Sequence, residues 1–578
     1  FMAVGDFSIV KDKYKDKEVN YYVEKQYAPV AKKIFGNTPE MIGFYEKTLG
    51  IPYQWPKYAQ IVGRDFVSGA MENTTATLHQ ESAYQNARQL TDGNGWEETI
   101  AHELFHHWFG DLVTAESWSN ITVNESFANY SEYLWDEYKY GKDHADEHNL
   151  EDMQGYLRSN GSEKKDLVRF KYTDKEDMFD AVSYNKGGRI LHMLRNYVGD
   201  DVFFKSLTNY LTTNKFKTGE AHQLRLAFEE VSGEDLNWFW NQWYYGSGHP
   251  ILDISYRYDT ASKNQYVYIK QTQEGDKIFK LPVAVDIYTG KDKIRKQVWL
   301  EKKADTLVFN LPTEPDLVNV DADKILLCKK TDNKTITNYI FQYNNAPNYL
   351  DRMEALVYLN KKTLPELALG LNDKYPGLRT MTIELLTAGK FLPEAKVIAN
   401  IETIANTEKD KKTKAAALRF LAHTKEEKYF ELFRKNVSDS SYTVAGAALQ
   451  GLINLEPEKA YELAKKYSTD AKGDLGNAIT SAIITNGAEE DYELIFDHYK
   501  DAPPGQDKLD MTDGFCTYLQ KIKDIDKIKS GIDQVIAFAK LIPLQYRSFT
   551  DPILKGSLDK IGLTKGKEIK EYIATNFK

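Results

Sequence analysis
The stretch Thr99-Ile100-Ala101-His102-Glu103-Leu104-Phe105-His106-His107-Trp108 constrains this chain more than any other. On a helix, H-E-x-x-H sets His102 and His106 one turn apart on the same face, where both imidazoles can reach one metal ion. Glu103 is rotated roughly 100° from His102 about the axis. That suits a base acting on a metal-activated water better than a third ligand. With 11 His and 85 acidic residues in 578, such a match arises by chance roughly 0.03 times. The stretch therefore predicts zinc-dependent hydrolysis.

Catalytic zinc takes three protein ligands and keeps one position open. Eighteen residues separate His106 from Glu125, in Val123-Asn124-Glu125-Ser126-Phe127-Ala128-Asn129-Tyr130. Gly110 and the polar run 115–120 are expected to end the first helix and turn the chain. The apolar spacing Phe127, Tyr130, Leu134 then starts a second helix. Glu125, at its beginning, faces back toward the histidines, so His102, His106 and Glu125 form the expected zinc site; a solvated helical Glu is the other reading. His107, about 140° from His102 around the helix, is expected to pack or to support a ligand from behind. Glu132 lies two turns after Glu125 on the same face. It either orients a histidine ligand or is a plain surface carboxylate.

Composition excludes other classes. With 42% hydrophobic and 28% charged residues, the chain reads as soluble and globular, and no run approaches the 18 or so apolar residues of a membrane span. A formal charge of -10 argues against a nucleic-acid partner, which needs a basic surface. Cys328 and Cys516 are expected to be buried free thiols, and they leave the redox compartment undecided. The chain begins Phe1-Met2-Ala3-Val4-Gly5-Asp6-Phe7, with no initiator Met and the look of a strand interior. A fragment or processed product is expected, with cytoplasmic and exported locations both open and a monomer favoured.

Length implies three or four domains. From 18 to about 47 the pattern is helical, as in Tyr27, Val30, Ala31, Ile34 and Met41, Phe44, Tyr45. Short strands are expected at 60–63 and 65–67, leading into Ser68-Gly69-Ala70-Met71-Glu72-Asn73. Two small residues and then an acid at a strand edge can hold an extended peptide by its backbone with the acid at one end, although Gly-Ala is also simply a tight turn. Aromatics crowd a helix end at Asn237-Trp238-Phe239-Trp240-Asn241-Gln242-Trp243, and Gly246-Ser247-Gly248-His249-Pro250 marks a boundary. Alternating runs such as Tyr266-Val267-Tyr268-Ile269 then predict a small β-sandwich. Beyond Thr335, Tyr429-Phe430-Glu431-Leu432, Ala460-Tyr461-Glu462-Leu463 and Asp491-Tyr492-Glu493-Leu494 recur every 31 residues, with Leu421, Leu452 and Ile483 in register. That is the mark of stacked helix pairs, an α-solenoid. The expected architecture is multidomain α+β, divided at 1–248, 249–334 and 335–578.

Three motifs in order carry a resemblance: Gly69-Ala70-Met71-Glu72-Asn73, then His102-Glu103-x-x-His106 with Glu125, then Tyr184-Asn185-Lys186-Gly187-Gly188. Together, over about residues 1–249, they resemble the zinc aminopeptidases of the aminopeptidase N family, gluzincins with a thermolysin-like catalytic fold. The resemblance implies one Zn2+ per chain held by His102, His106 and Glu125, with Glu103 as general base and proton shuttle. It implies that Glu72 binds the free α-ammonium of a peptide, beside Gly69 and Ala70, and that Tyr184 stabilises the oxyanion. Read alone, Tyr184 is one of 38 tyrosines and a core aromatic. As an oxyanion donor, its loss should cost roughly 10²–10³ in kcat. Ser68 is expected to line the pocket for the first side chain, and Asp111 stands where many relatives carry Asn.

The resemblance also implies an N-terminal β-rich domain, which the sequence as given is expected to lack, either because that domain has been lost or because the site is more open than usual. In relatives the C-terminal HEAT/armadillo-like bowl restricts access to short peptides; here a plain protein-binding surface is the alternative. The implied activity is removal of the N-terminal residue from short peptides with a free N-terminus. A catalytically silent binding scaffold, an epoxide hydrolase of the leukotriene hydrolase branch and a thermolysin-type endopeptidase are the competing readings.

Overall fold
Alternate burial builds the sheet that carries the candidate site. Val19, Tyr21 and Val23 are fully buried between partly exposed neighbours, and Lys17–Glu24 is a strand. The computed structural model describes residues 2–362, 365–389, 393–470, 472–502, 504–542 and 544–577. In space, Phe7–Tyr14, Lys17–Glu24, Lys57–Val62, Ala76–His79 and Ala70–Met71 lie side by side in that order in a five-stranded sheet. The first pair is antiparallel and the next two are parallel. Ala70–Met71 closes the sheet as an antiparallel edge strand, Ala70 opposite His79 and Met71 opposite Leu78.

Two sequence expectations change here. The helix expected from 18 begins later, as Ala31–Phe35 and Thr38–Leu49. The adjacent rings Tyr21 and Tyr22 mask the alternation, and only the sheet partners reveal that Tyr21 points inward. No strand forms at 65–67: Asp65 adopts a positive φ of 55° and Val67 is 97% exposed, so this segment is a loop.

Thr122–Lys139 is the central helix, packed against Glu97–Phe105, Lys142–Arg158 and Gly187–Val198. From Thr122 to Asp136 every residue but Glu132 is buried, the pattern of a helix enclosed on all sides. Gly187 and Gly188 make one of these contacts possible. A Cβ on Gly187 would lie 2.5 Å from Ser126 Cβ and overlap its hydroxyl, and one on Gly188 would run into the Asn129 amide.

The chain divides into two compact units, Phe1–Leu367 and Ala368–Lys578, and the architecture is mixed α+β. The first also holds a parallel pair of short strands, Val113–Ala115 and Lys217–Gly219, and two further sheets. One joins Asp292–Leu300, Leu281–Thr289 and Leu317–Val320; the other joins Ala304–Asn310, Asn264–Gln271, Ile251–Asp259 and Lys329–Asp332. Val283, Val285 and Ile287 from one and Leu252, Ile254, Val267 and Ile269 from the other share one buried cluster. The helices Ile336–Asn345 and Tyr349–Lys361, which follow the boundary expected at 335, belong to this first unit.

The described part of the second unit is helical. Lys411–Thr424, Tyr442–Leu455 and Gly473–Asn486 start at the 31-residue spacing of the sequence and pack in succession. Leu421, Leu452 and Ile483 are fully buried in those contacts, which explains why they recur in register. Cys328 and Cys516 are buried free thiols. Among the described residues no helix is long and apolar enough to cross a membrane.

Candidate active site
The regular part of the motif helix is Glu97–Phe105. His106 caps it, and its N–H still bonds the His102 carbonyl at 3.3 Å, so the one-turn spacing survives. Each imidazole is tied down through Nδ1. His102 Nδ1 donates to Glu132 Oε1 at 2.6 Å and His106 Nδ1 to the Phe109 carbonyl at 3.0 Å. That leaves both Nε2 lone pairs free, and each Nε2 lies 3.4 Å from Glu125 Oε2. One ligand atom from each of the three residues falls within 4.8 Å of the others.

Donors bound to a tetrahedral zinc at about 2.0–2.1 Å sit about 3.4 Å apart, so the spacing and the N, N, O donor set both fit zinc. The electrostatics agree. Burial pulls the His102 and His106 imidazoles down, yet the carboxylates around them prevail. Glu125 and Glu132 hold His102 well above its ordinary value, and Glu72 and Glu125 raise His106 to about 10. Burial would raise Glu125, but His106 and His102 hold it well below the usual carboxylate range. The group is organised around positive charge, as a divalent cation would supply.

Glu103 is buried, and its Oε2 has no hydrogen-bond partner among the described residues. Burial first, then Glu72 and Glu125 against His102 and His106, pushes its carboxyl up to about 7. Tyr184 lies in a π-helical turn, Val182–Lys186. Its ring stacks parallel to His102, with centroids 5.9 Å apart and planes 10° from parallel. Burial first and Glu125 next push the phenol well up, so it remains a hydrogen-bond donor.

His102, Glu103, His106, Glu125 and Tyr184 line one cavity of about 1110 Å³ together with Ser68, Ala70 and Glu72. Gly69 is not part of that lining; its carbonyl accepts from Gln80 N–H at 2.9 Å, continuing the ladder of the edge strand. Phe66, Trp118 and Phe179 also line the cavity, and nothing in their local sequence distinguishes them from core aromatics.

The residues after the motif hold the loop that carries Glu72. His107 Nε2 accepts from Thr75 N–H at 2.9 Å, and burial pulls its imidazole down to about 3, so it stays neutral. Asp111 Oδ1 accepts from Thr74 Oγ1 at 2.8 Å. Glu132, which the sequence left between two roles, bonds His102. Sequence reasoning missed His148, whose Nε2 lies 3.2 Å from the other Glu132 oxygen. Its four-residue spacing from His144 was the available signal.

The sequence profile of the Peptidase family M1 domain matches residues 34–243. Probable aminopeptidase 1 of Sulfurisphaera tokodaii is 28% identical over 327 residues, covering 56% of this chain and 41% of the relative. Tricorn protease-interacting factor F2 of Thermoplasma volcanium is 30% identical over 298 residues, covering 50% and 38%. Aminopeptidase M1 of Arabidopsis thaliana is 29% identical over 315 residues, covering 52% and 35%. The matched region thus spans 35–41% of the length of these curated relatives. In fold, the crystal structure of Legionella pneumophila aminopeptidase A in complex with aspartic acid aligns with a TM-score of 0.62 at 16% identity, over 96% of this chain and 77% of that one.

Proposed function
We propose that this chain, in which residues 34–243 match the Peptidase family M1 domain, is a zinc-dependent aminopeptidase that removes the N-terminal residue from short peptides. The observation that carries the reading is the convergence of His102 Nε2, His106 Nε2 and Glu125 Oε2 beside an unpartnered Glu103 carboxylate, in one cavity with Glu72. His102, His106 and Glu125 would hold zinc, which when bound lowers the pKa of water to about 7 and polarises a carbonyl. Glu103 Oε2 takes the proton of the attacking water and passes it to the leaving amine. The Tyr184 hydroxyl donates to the oxygen on which negative charge develops.

Substrate orientation follows from the sheet edge. Ala70–Met71 pairs with Ala76–His79 on one side only, so its other side can take an extended peptide as a further strand. Glu72 follows directly and accepts the α-ammonium in a charge-assisted contact. Cleavage is thereby counted from the free end. The same reading makes 1–248 a thermolysin-like catalytic domain, 249–334 a β-sandwich and 335–578 a HEAT/armadillo-like repeat domain.

A panel of aminoacyl anilides, free and N-acetylated, tests the proposal: only the free forms should be cleaved. Glu72→Ala should lower kcat/KM on free substrates about 10–100-fold, matching the roughly 1.5–3 kcal/mol of a hydrogen bond to a charged group. Unchanged cleavage by that variant would overturn the exopeptidase assignment in favour of an endopeptidase. Glu132→Ala should weaken zinc binding about 10–100-fold in a chelator competition, because the carboxylate that orients His102 is gone. Wild-type affinity there would reduce Glu132 to a bystander.

A further inference from the structure
A second group of metal-type donors meets on the far side of Glu132. Glu98 comes from the motif helix, Asp136 from Thr122–Lys139, and His144 and His148 from one face of Lys142–Arg158. Glu98 Oε1 and Asp136 Oδ2 lie 3.0 and 3.3 Å from His148 Nδ1. Ligand atoms of these three residues all fall within 4.8 Å of one another. His144, one turn earlier, brings its own Nδ1 to 3.4 Å from the same Asp136 oxygen. These separations are the roughly 3.3 Å expected between donors around a four-coordinate zinc.

Asp136 is the independent sign that something belongs there. It is 1% exposed, and neither of its carboxylate oxygens has a well-aligned hydrogen bond among the described residues. His144 Nδ1 has none either. Buried carboxylates left this way are costly unless a cation completes them. A proton on His148 Nδ1 would not resolve the arrangement, because one N–H cannot point at both Glu98 and Asp136. The ring's other nitrogen faces Glu132 Oε2 at 3.2 Å and Asp152 Oδ2 at 3.6 Å. With Nε2–H kept toward Glu132, a metal ion could take the Nδ1 lone pair and both carboxylates at once.

We propose that Glu98, Asp136 and His148 form a second site for a divalent transition metal, with zinc a match to one imidazole and two carboxylates and a fourth position left for water. The ion would tie three helices together. Glu98, whose side chain is 49% exposed, leaves it a way in from solvent. It would also act on the first site through Glu132, which accepts from His102 Nδ1 on one oxygen and faces His148 with the other.

The test is zinc stoichiometry of the full chain, stripped with chelator, reloaded with Zn2+, gel-filtered and measured by atomic emission. Wild type should hold two zinc ions, Glu98→Gln one, His106→Ala one and the double variant none. Because Glu98 is largely exposed, Glu98→Gln should fold normally, and circular dichroism checks that it does. A wild type with one zinc that His106→Ala removes overturns the proposal, leaving His148 a protonated partner of its carboxylates. One zinc that survives His106→Ala but is lost in Glu98→Gln supports the second site and instead overturns the zinc reading of the first. Two ions retained in both Glu98→Gln and His148→Ala would place the second ion elsewhere and sink the assignment.

Discussion

Glu103→Gln is expected to keep the zinc content of the wild type and to lower kcat by about 10²–10⁴-fold, the usual contribution of a positioned acid–base group. The amide matches the carboxylate in size, so the packing of Glu103 inside the motif helix is preserved. What disappears is the capacity to take up and return a proton. The proposed zinc ligands are untouched, because Glu103 projects from a different part of the helix surface than His102 and His106. Anilide hydrolysis and metal analysis on one preparation decide the matter. Zinc-replete Glu103→Gln with near wild-type kcat would move the base to another residue.

Gly187→Ala is expected to damage stability and chemistry together. Alanine favours a helix over glycine by about 1 kcal/mol, and at an open position that gain would decide the outcome. Here the added carbon would overlap the Ser126 hydroxyl, and forced overpacking of this kind costs about 1–3 kcal/mol or more. The clash wins. Ser126 Oγ is held by the Ser183 carbonyl at 2.6 Å and by Thr122 Oγ1 at 2.6 Å, so it cannot turn aside without leaving polar atoms unmatched. Ser126 follows Glu125, and Gly187 comes three residues after Tyr184. Any separation of the two helices therefore shifts Glu125, a proposed zinc ligand, away from the Tyr184 phenol. The unfolding midpoint should drop and kcat should fall more than KM changes. Adding Ser126→Ala, which removes the overlapping oxygen, should restore part of both. An unaltered midpoint in the single variant would mean that the helices can slide apart at no cost.

The contrast between these predictions follows how differently their residues are encoded. His102 and His106 could be read because helical spacing converts four residues of sequence into one turn of geometry. Glu125 could be read because its helix starts with a clear apolar stripe. The strand Lys17–Glu24 was misread as helix: two adjacent tyrosines blur its period, and its parallel partner Lys57–Val62 lies far along the chain. Val67 looked like part of a strand and is instead an exposed loop residue on the cavity wall. The 31-residue period exposed the helix pairs of the second unit because each repeat buries the same positions against its neighbours.

The sequence alone determined which side chains share a face of one helix and that a glycine pair follows Tyr184. These are local rules, set by the 3.6-residue turn and by backbone preference. Only the tertiary structure decided that Glu132 turns toward His102, that Gly187 is needed for contact with Ser126, and that Glu98, Asp136 and His148 converge from three helices. No local spacing encodes those pairings. They depend on how buried helices rotate and pack against one another, and that is settled by the whole core.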